Sequence, residues 1–169
     1  LAIYEQAFLE GFERQYGSIQ NWCVLALLPA YLERENSSLV YMANKMIAMS
    51  GHSESGFYLY NYAELANKIA ALESRGQPTL LLGVTFALLD FAAQFPMQLT
   101  YTVVMETGGM KGRGRELTRP ELHETLIERL SLPSIHAEYG MTELLSQAYS
   151  KSGGRYYCPP WMKVFVRKE

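Results

Sequence analysis

The sequence predicts an α/β fold: a largely parallel sheet with helices on both faces, Rossmann-like, with a β-rich C-terminal tail. Three observations lead there. Short continuous apolar runs, at residues 22–28 and Thr79–Val84, are the pattern of strands buried on both faces. The stretches between them carry apolar residues at steps of three and four, the helical period. Runs and stretches alternate along the chain, as strand-helix-strand units require.

Each element has its own reason. Residues 2–17 read as an amphipathic helix, with Phe8, Phe12 and Tyr16 at steps of four and Gly17 as its stop. The strand at 22–28 is ended by Pro29. Residues 37–49 place Leu39, Met42, Ala43 and Met46 on one helical face, and a polar loop at 50–56 leads to a short strand at 57–60. Asn61 and Glu64 form a cap pair for a helix with Leu65, Ile69 and Leu72 inward, which stops by Gly76 and Pro78. Thr79–Val84 is a strand, and residues 85–95 are a helix ended by Pro96. Residues 100–105, β-branched and aromatic, form the next strand. Thr118, followed by Pro120 and Glu121, starts a helix whose Leu122, Leu126 and Leu130 share a face until Pro133. Residues 134–138 are the next strand, emptying into a tight turn at Tyr139 and Gly140. Residues 156–166 are a β-rich, Pro-interrupted tail. Residues 1–150 then form one α/β subdomain and 151–169 the tail.

Composition narrows the function classes. A chain of 169 residues is the size of one domain, and 49% apolar against 19% charged leaves ample material for a core. A net charge of −2 argues against a nucleic-acid footprint. No apolar run approaches the roughly 20 residues that cross a bilayer. Cys23 and Cys158 make neither a disulfide framework nor a metal-ligand spacing, so reduced thiols in a cytoplasmic protein are expected. The acids are sixteen Glu and a single Asp, Asp90, inside a helix-like stretch.

Polar clusters fall where strands end. In parallel sheets ligands bind beyond the carboxyl ends of the strands. Thr85, the loop 107–114 and the turn 139–143 each follow directly on a predicted strand, so all three should open on one edge. The loop carries Gly108, Gly109, Gly112 and Gly114 with Lys111, Arg113 and Arg115. Paired glycines let backbone N–H groups approach a ligand, and the cations suit phosphates. Its spacing fits neither a Walker loop nor a dinucleotide fingerprint. In isolation it reads as a surface loop. Within five residues the segment Tyr139-Gly140-Met141-Thr142-Glu143 sets an aromatic face, a flexible backbone, a hydroxyl and a carboxylate. That combination suits a nucleotide with its Mg²⁺. A strand-to-helix turn in which Thr142 caps the helix would use the same residues, and both roles can coexist. His136 reads as a hydrogen-bonded structural histidine, and loop 50–56 as a solvated connector.

With these motifs in place the chain resembles the adenylate-forming superfamily, and within it the acyl-protein synthetase family that activates fatty acids. The stretches that carry the resemblance are 27–34 with 37–42, 83–90, 105–113 (Met-Glu-Thr-Gly-Gly-Met-Lys-Gly-Arg), 136–147 and 156–163. The resemblance implies ATP and Mg²⁺ as cofactors and conversion of a carboxylic acid, fatty acids foremost, to an acyl-adenylate whose acyl group passes to a protein thiol. An acyl-CoA reductase or an acyl-acceptor protein would be the partner. By resemblance Gly108 and Gly109 line the adenine and ribose side, and Tyr139 packs on the adenine beside Gly140 and Met141. Thr142 contacts the α-phosphate and Glu143 binds Mg²⁺. The family's upstream Ser/Thr/Gly-rich phosphate loop, its ribose-binding Asp and its lysine-bearing lobe do not occur within these 169 residues, so the chain is expected to be a central part of such an enzyme, inactive alone. Two alternatives are an acyl-CoA ligase of the phenylacetate-CoA ligase type and a non-catalytic partner-binding domain that keeps the fold.

Overall fold

The computed structural model describes residues 2–29, 37–108 and 117–167. The described chain builds one six-stranded sheet, in the order β2-β1-β3-β4-β5-β6. The strands are β1 (Cys23–Leu27), β2 (Gly56–Tyr58), β3 (Thr79–Val84), β4 (Thr102–Thr107), β5 (His136–Met141) and β6 (Ser146–Ser150). The first five are parallel, and β6 returns antiparallel to β5. The helices are α1 (Ala2–Tyr16), α2 (Ser38–Ser50), α3 (Tyr62–Ser74), α4 (Thr85–Gln94) and α5 (Arg119–Leu130).

The expected architecture is therefore present: a mostly parallel sheet flanked by helices. Every residue of β1 and β3 is buried, the reason both runs are apolar without alternation. The helices divide between the two faces. Phe12 and Tyr16 of α1 pack on Tyr149 of β6, and Tyr16 also meets His136 of β5. Arg119 and His123 of α5 reach Glu106 of β4 instead. Glu106 pairs with Ala137, whose neighbours His136 and Glu138 point the other way. Since side chains alternate along a strand, α1 and α5 lie on opposite faces. Helix α2 packs with α1, α5 with α4, and Tyr62 of α3 meets Phe91 of α4 edge to face.

Local chemistry explains the boundaries. At α5 the Thr118 side chain accepts from the Glu121 N–H, and the Glu121 carboxylate accepts from the Thr118 N–H: the full capping box. Helix α2 ends on Gly51 at φ 63, a left-handed stop. Strand β3 passes into α4 without a loop. Gly83 permits this, because a Cβ there would lie 2.6 Å from Leu88 Cδ2.

Several expectations are corrected. Tyr139 and Gly140 do not turn: β5 continues through them to Met141, because β6 pairs with it residue for residue, Tyr139 with Ala148 and Gly140 with Gln147. The turn comes later, at a 3-10 turn over Thr142–Leu144 followed by Leu145 at φ 47. No helix follows Thr142, so it caps none; the next element is β6, whose five residues are all buried. The 156–166 tail forms no strand, only a bridge of Tyr157 to Tyr149 that covers the β6 edge. Asn61 makes no side-chain cap bond to α3. Its carbonyl oxygen accepts from the Leu59 N–H while its amide donates to Glu64 at 2.6 Å, which uses up the capping group.

Candidate functional site

The carboxyl ends of β3, β4 and β5 lie side by side, and their polar residues are tied together. Thr85, the first residue of α4, donates its hydroxyl to the Gly108 carbonyl at 2.7 Å. Gly108 follows β4 directly and holds φ 72, a conformation open to glycine at little cost. The next residue of the rim, Thr107, donates to Glu138 Oε2 of β5 at 2.8 Å. Thus Thr85, Thr107, Gly108 and the end of β5 share one edge, as their positions after strands predict. Gly109, Lys111, Arg113 and Arg115 lie outside the described residues.

The predicted nucleotide segment occupies the hairpin that rises from this rim. Tyr139 and Met141 are exposed at 45% and 41%, and Glu143 is exposed at the tip. The Tyr139 ring meets Tyr156 edge to face at 6.0 Å, and Tyr156 in turn carries the Arg119 guanidinium 5.2 Å from its centroid. The backbone of Thr142 lies in the turn; its side chain is outside the described set. Gly140 has a different role from the flexible hinge the sequence suggests. A Cβ there would stand 2.4 Å from Glu138 Oε1 and 3.0 Å from Gln147 Cγ. It is a glycine because two side chains lie across it.

Two acids, Glu106 buried and Glu138 half-buried, are the residues that sequence reasoning misses. Glu106 is almost fully buried on the α5 face, with Arg119 Nε at 3.3 Å and His123 Nε2 at 3.6 Å. Glu138 lies on the α1 face, and burial pushes its carboxyl up to about 7. The Thr107 hydrogen bond opposes that rise and the Glu106 charge adds to it. The available signal was a glutamate at or near the last apolar position of two successive strands, where an acid is costly unless it serves something. Beside Glu138, Gln147 Oε1 and the Tyr149 hydroxyl are buried without a hydrogen-bond partner among the described residues.

Other candidates fall away from the rim. His136 begins β5 at its amino end, and its Nδ1 hydrogen-bonds the Tyr16 hydroxyl at 3.1 Å. Burial, with the Lys151 charge second, lowers its pKa to about 4, so it is neutral near pH 7 and structural. In the 50–56 loop, Ser55 Oγ accepts from the Val24 N–H and pairs with Ser50 Oγ. That loop holds the opposite edge together. Cys23 is buried and burial pushes its thiol up, while Cys158 is exposed. Among the described residues no three or more His, Cys, Asp or Glu side chains gather as a metal site. No described helix is long and apolar enough to cross a membrane. Comparison of the chain with protein-family models, with curated proteins and with solved structures returns no match.

Proposed function

We propose that this chain is the nucleotide-binding part of an acyl-activating enzyme. It would convert a fatty or other carboxylic acid to its acyl-adenylate at the expense of ATP, and pass the acyl group to a protein thiol as acyl-protein synthetases do. One observation carries the reading. Three adjacent parallel strands deliver Thr85, Thr107, Gly108 and the Tyr139–Glu143 segment to a single rim, joined by the Thr85–Gly108 and Thr107–Glu138 hydrogen bonds.

On this reading each group has a physical task. The left-handed backbone at Gly108 would keep side chains out of the way of a ribose and base, and Gly109 has no side chain to add. Tyr139 offers an aromatic face beside them, next to Gly140 and Met141. Thr142 would donate to the α-phosphate. Glu143 is a lone exposed carboxylate, the donor set that suits Mg²⁺, which prefers one or two carboxylates completed by phosphate and water. When bound, the ion would offset the charge that builds as a carboxylate approaches a phosphate. The rim residues would hold the two anions in line.

The test is carboxylate-dependent exchange of labelled pyrophosphate into ATP, measured on the full-length parent enzyme. Glu143→Gln is expected to lower exchange by at least a hundredfold, an order of magnitude typical for lost charge stabilisation in a reacting site. Normal exchange in that variant removes the metal role. Supplying coenzyme A against an acceptor protein as the thiol separates the synthetase from a coenzyme A ligase.

A further inference from the structure

The tail after β6 gains a task from where it turns back. Residues 152–155 form a turn closed by the Arg155 N–H on the Ser152 carbonyl at 3.3 Å, and Gly153 and Gly154 hold left-handed φ there, 59 and 68. The chain then runs beside β6, where Tyr157 and Tyr149 exchange backbone hydrogen bonds at 2.8 and 3.3 Å. Partners across such a bridge share a side of the sheet, so Tyr157 falls on the α1 side with Tyr149. Its neighbour Tyr156 therefore falls on the α5 side. Tyr139 points there too, since it alternates with Glu138 along β5.

On that side three contacts run in series from a buried acid to the exposed ring of Tyr139. Glu106 holds Arg119 Nε at 3.3 Å. The Arg119 guanidinium lies 5.2 Å from the Tyr156 ring centroid, and the Tyr156 ring meets that of Tyr139 edge to face at 6.0 Å. The start of the series is well anchored. Glu106 sits in β4, paired on both sides, and Arg119 is the first residue of α5, directly after the capping residue Thr118. At Gly154 a Cβ would sit 3.5 Å from Arg119 Cδ, so the turn packs on the stem of the arginine. A guanidinium can give one N–H to a carboxylate and its flat face to a ring at the same time, whereas an ammonium is a point charge. An edge-to-face contact uses at most one face of the Tyr139 ring and leaves the other open.

We propose that Arg119 and Tyr156 are positioning residues, which hold the Tyr139 ring at the angle at which it receives a planar base. A tyrosine left to itself on an exposed strand end samples several rotamers and must be ordered when a base lands on it. The Glu106–Arg119–Tyr156 series does that ordering in advance, and affinity for the base gains by the entropy not lost on binding. That the ring receives an adenine rests on the activation reading above; the contacts that hold the ring do not.

The experiment is isothermal titration of the full-length parent enzyme with ATP and with inorganic triphosphate, each with Mg²⁺. Arg119→Gln and Arg119→Lys are each expected to weaken ATP by about fivefold, the lower end of what stacking a base on an aromatic ring contributes, and to leave triphosphate unchanged. Tyr156→Ala should match them, and Tyr156→Phe, which keeps the ring, should bind ATP as the unaltered protein does. Thermal unfolding checks that each variant is folded. Unmoved ATP affinity in folded Arg119→Gln and Tyr156→Ala variants overturns the proposal. So does an equal loss for ATP and triphosphate, which would put the arginine on the phosphates. An unaltered parent that binds no ATP removes the activation reading and the task of Tyr139 with it, whereas ATP binding indifferent to Arg119 and Tyr156 removes the positioning alone.

Discussion

Two groups on β5, His136 and Glu138, titrate in the same pH range with opposite consequences, and replacing either should uncover the other. Glu138 moves from an ordinary value of 4.5 up to about 7 on folding, chiefly through burial. The folded chain holds that proton more tightly, so Glu138 stabilises the fold as pH falls from 7 towards 4.5 and loses that contribution above about 7. His136 moves the other way, from 6.5 to about 4, because burial and Lys151 disfavour its charge. Its contribution is complete above 6.5 and is lost as pH falls towards 4. Each pH step within either window is worth about 1.4 kcal/mol, so between about pH 7 and about pH 5 each group changes stability by about 2 kcal/mol, with opposite signs. The expected result is a nearly flat stability profile for the unaltered protein. His136→Asn, which can still hydrogen-bond Tyr16 as donor or acceptor, should gain about 2 kcal/mol on acidification over that range, and Glu138→Gln should lose as much. Urea unfolding at several pH values measures this. Profiles of the same slope in both variants would refute the burial argument. The range stays above the region where Glu5 and Glu54 matter, since hydrogen bonds from Tyr41 and from Arg75 hold those carboxyls below their ordinary range.

Three further outcomes are expected. Gly140→Ala should destabilise by about 1–3 kcal/mol, the cost of overpacking, because its Cβ meets Glu138 Oε1. Combined with Glu138→Ala the penalty should largely vanish in a double-mutant cycle, and full additivity would show that the two do not touch. Thr118→Ala should cost about 1 kcal/mol by removing the N-terminal cap of α5, measured as a lower urea midpoint. A thiol-specific reagent should modify Cys158 at once and Cys23 only on unfolding, one equivalent before two, whereas simultaneous reaction would contradict the burial of Cys23.

The order of strands and helices was legible because the cues were local. Continuous apolar runs gave β1 and β3, the Thr118–Glu121 box gave the start of α5, and Pro29, Pro96 and Pro133 lie just beyond element ends. The error at Tyr139–Gly140 has an equally physical source. Glycine after tyrosine reads as a turn by propensity, but the pairing of β6 on β5 overrides propensity, and β6 itself, Ser-Gln-Ala-Tyr-Ser, alternates too weakly to announce a strand. Its five residues are buried because neighbours cover both faces, not because all are apolar.

The same reasoning separates the visible part of the site from the hidden part. That Thr85, Gly108 and the end of β5 share an edge follows from parallel strands, which bring every strand-following segment to one side. That Glu138 lies over Gly140 against Gln147 depends on a cross-strand register fixed by a hairpin, and no periodicity within one strand contains it. A glycine opposite a glutamine, two residues beyond a glutamate, carries meaning only once β5 and β6 are aligned. The rim is thus set by topology, and the cluster beneath it by register. A one-residue slip of β6 would turn Gln147 and Tyr149 away from α1 and leave the rim in place.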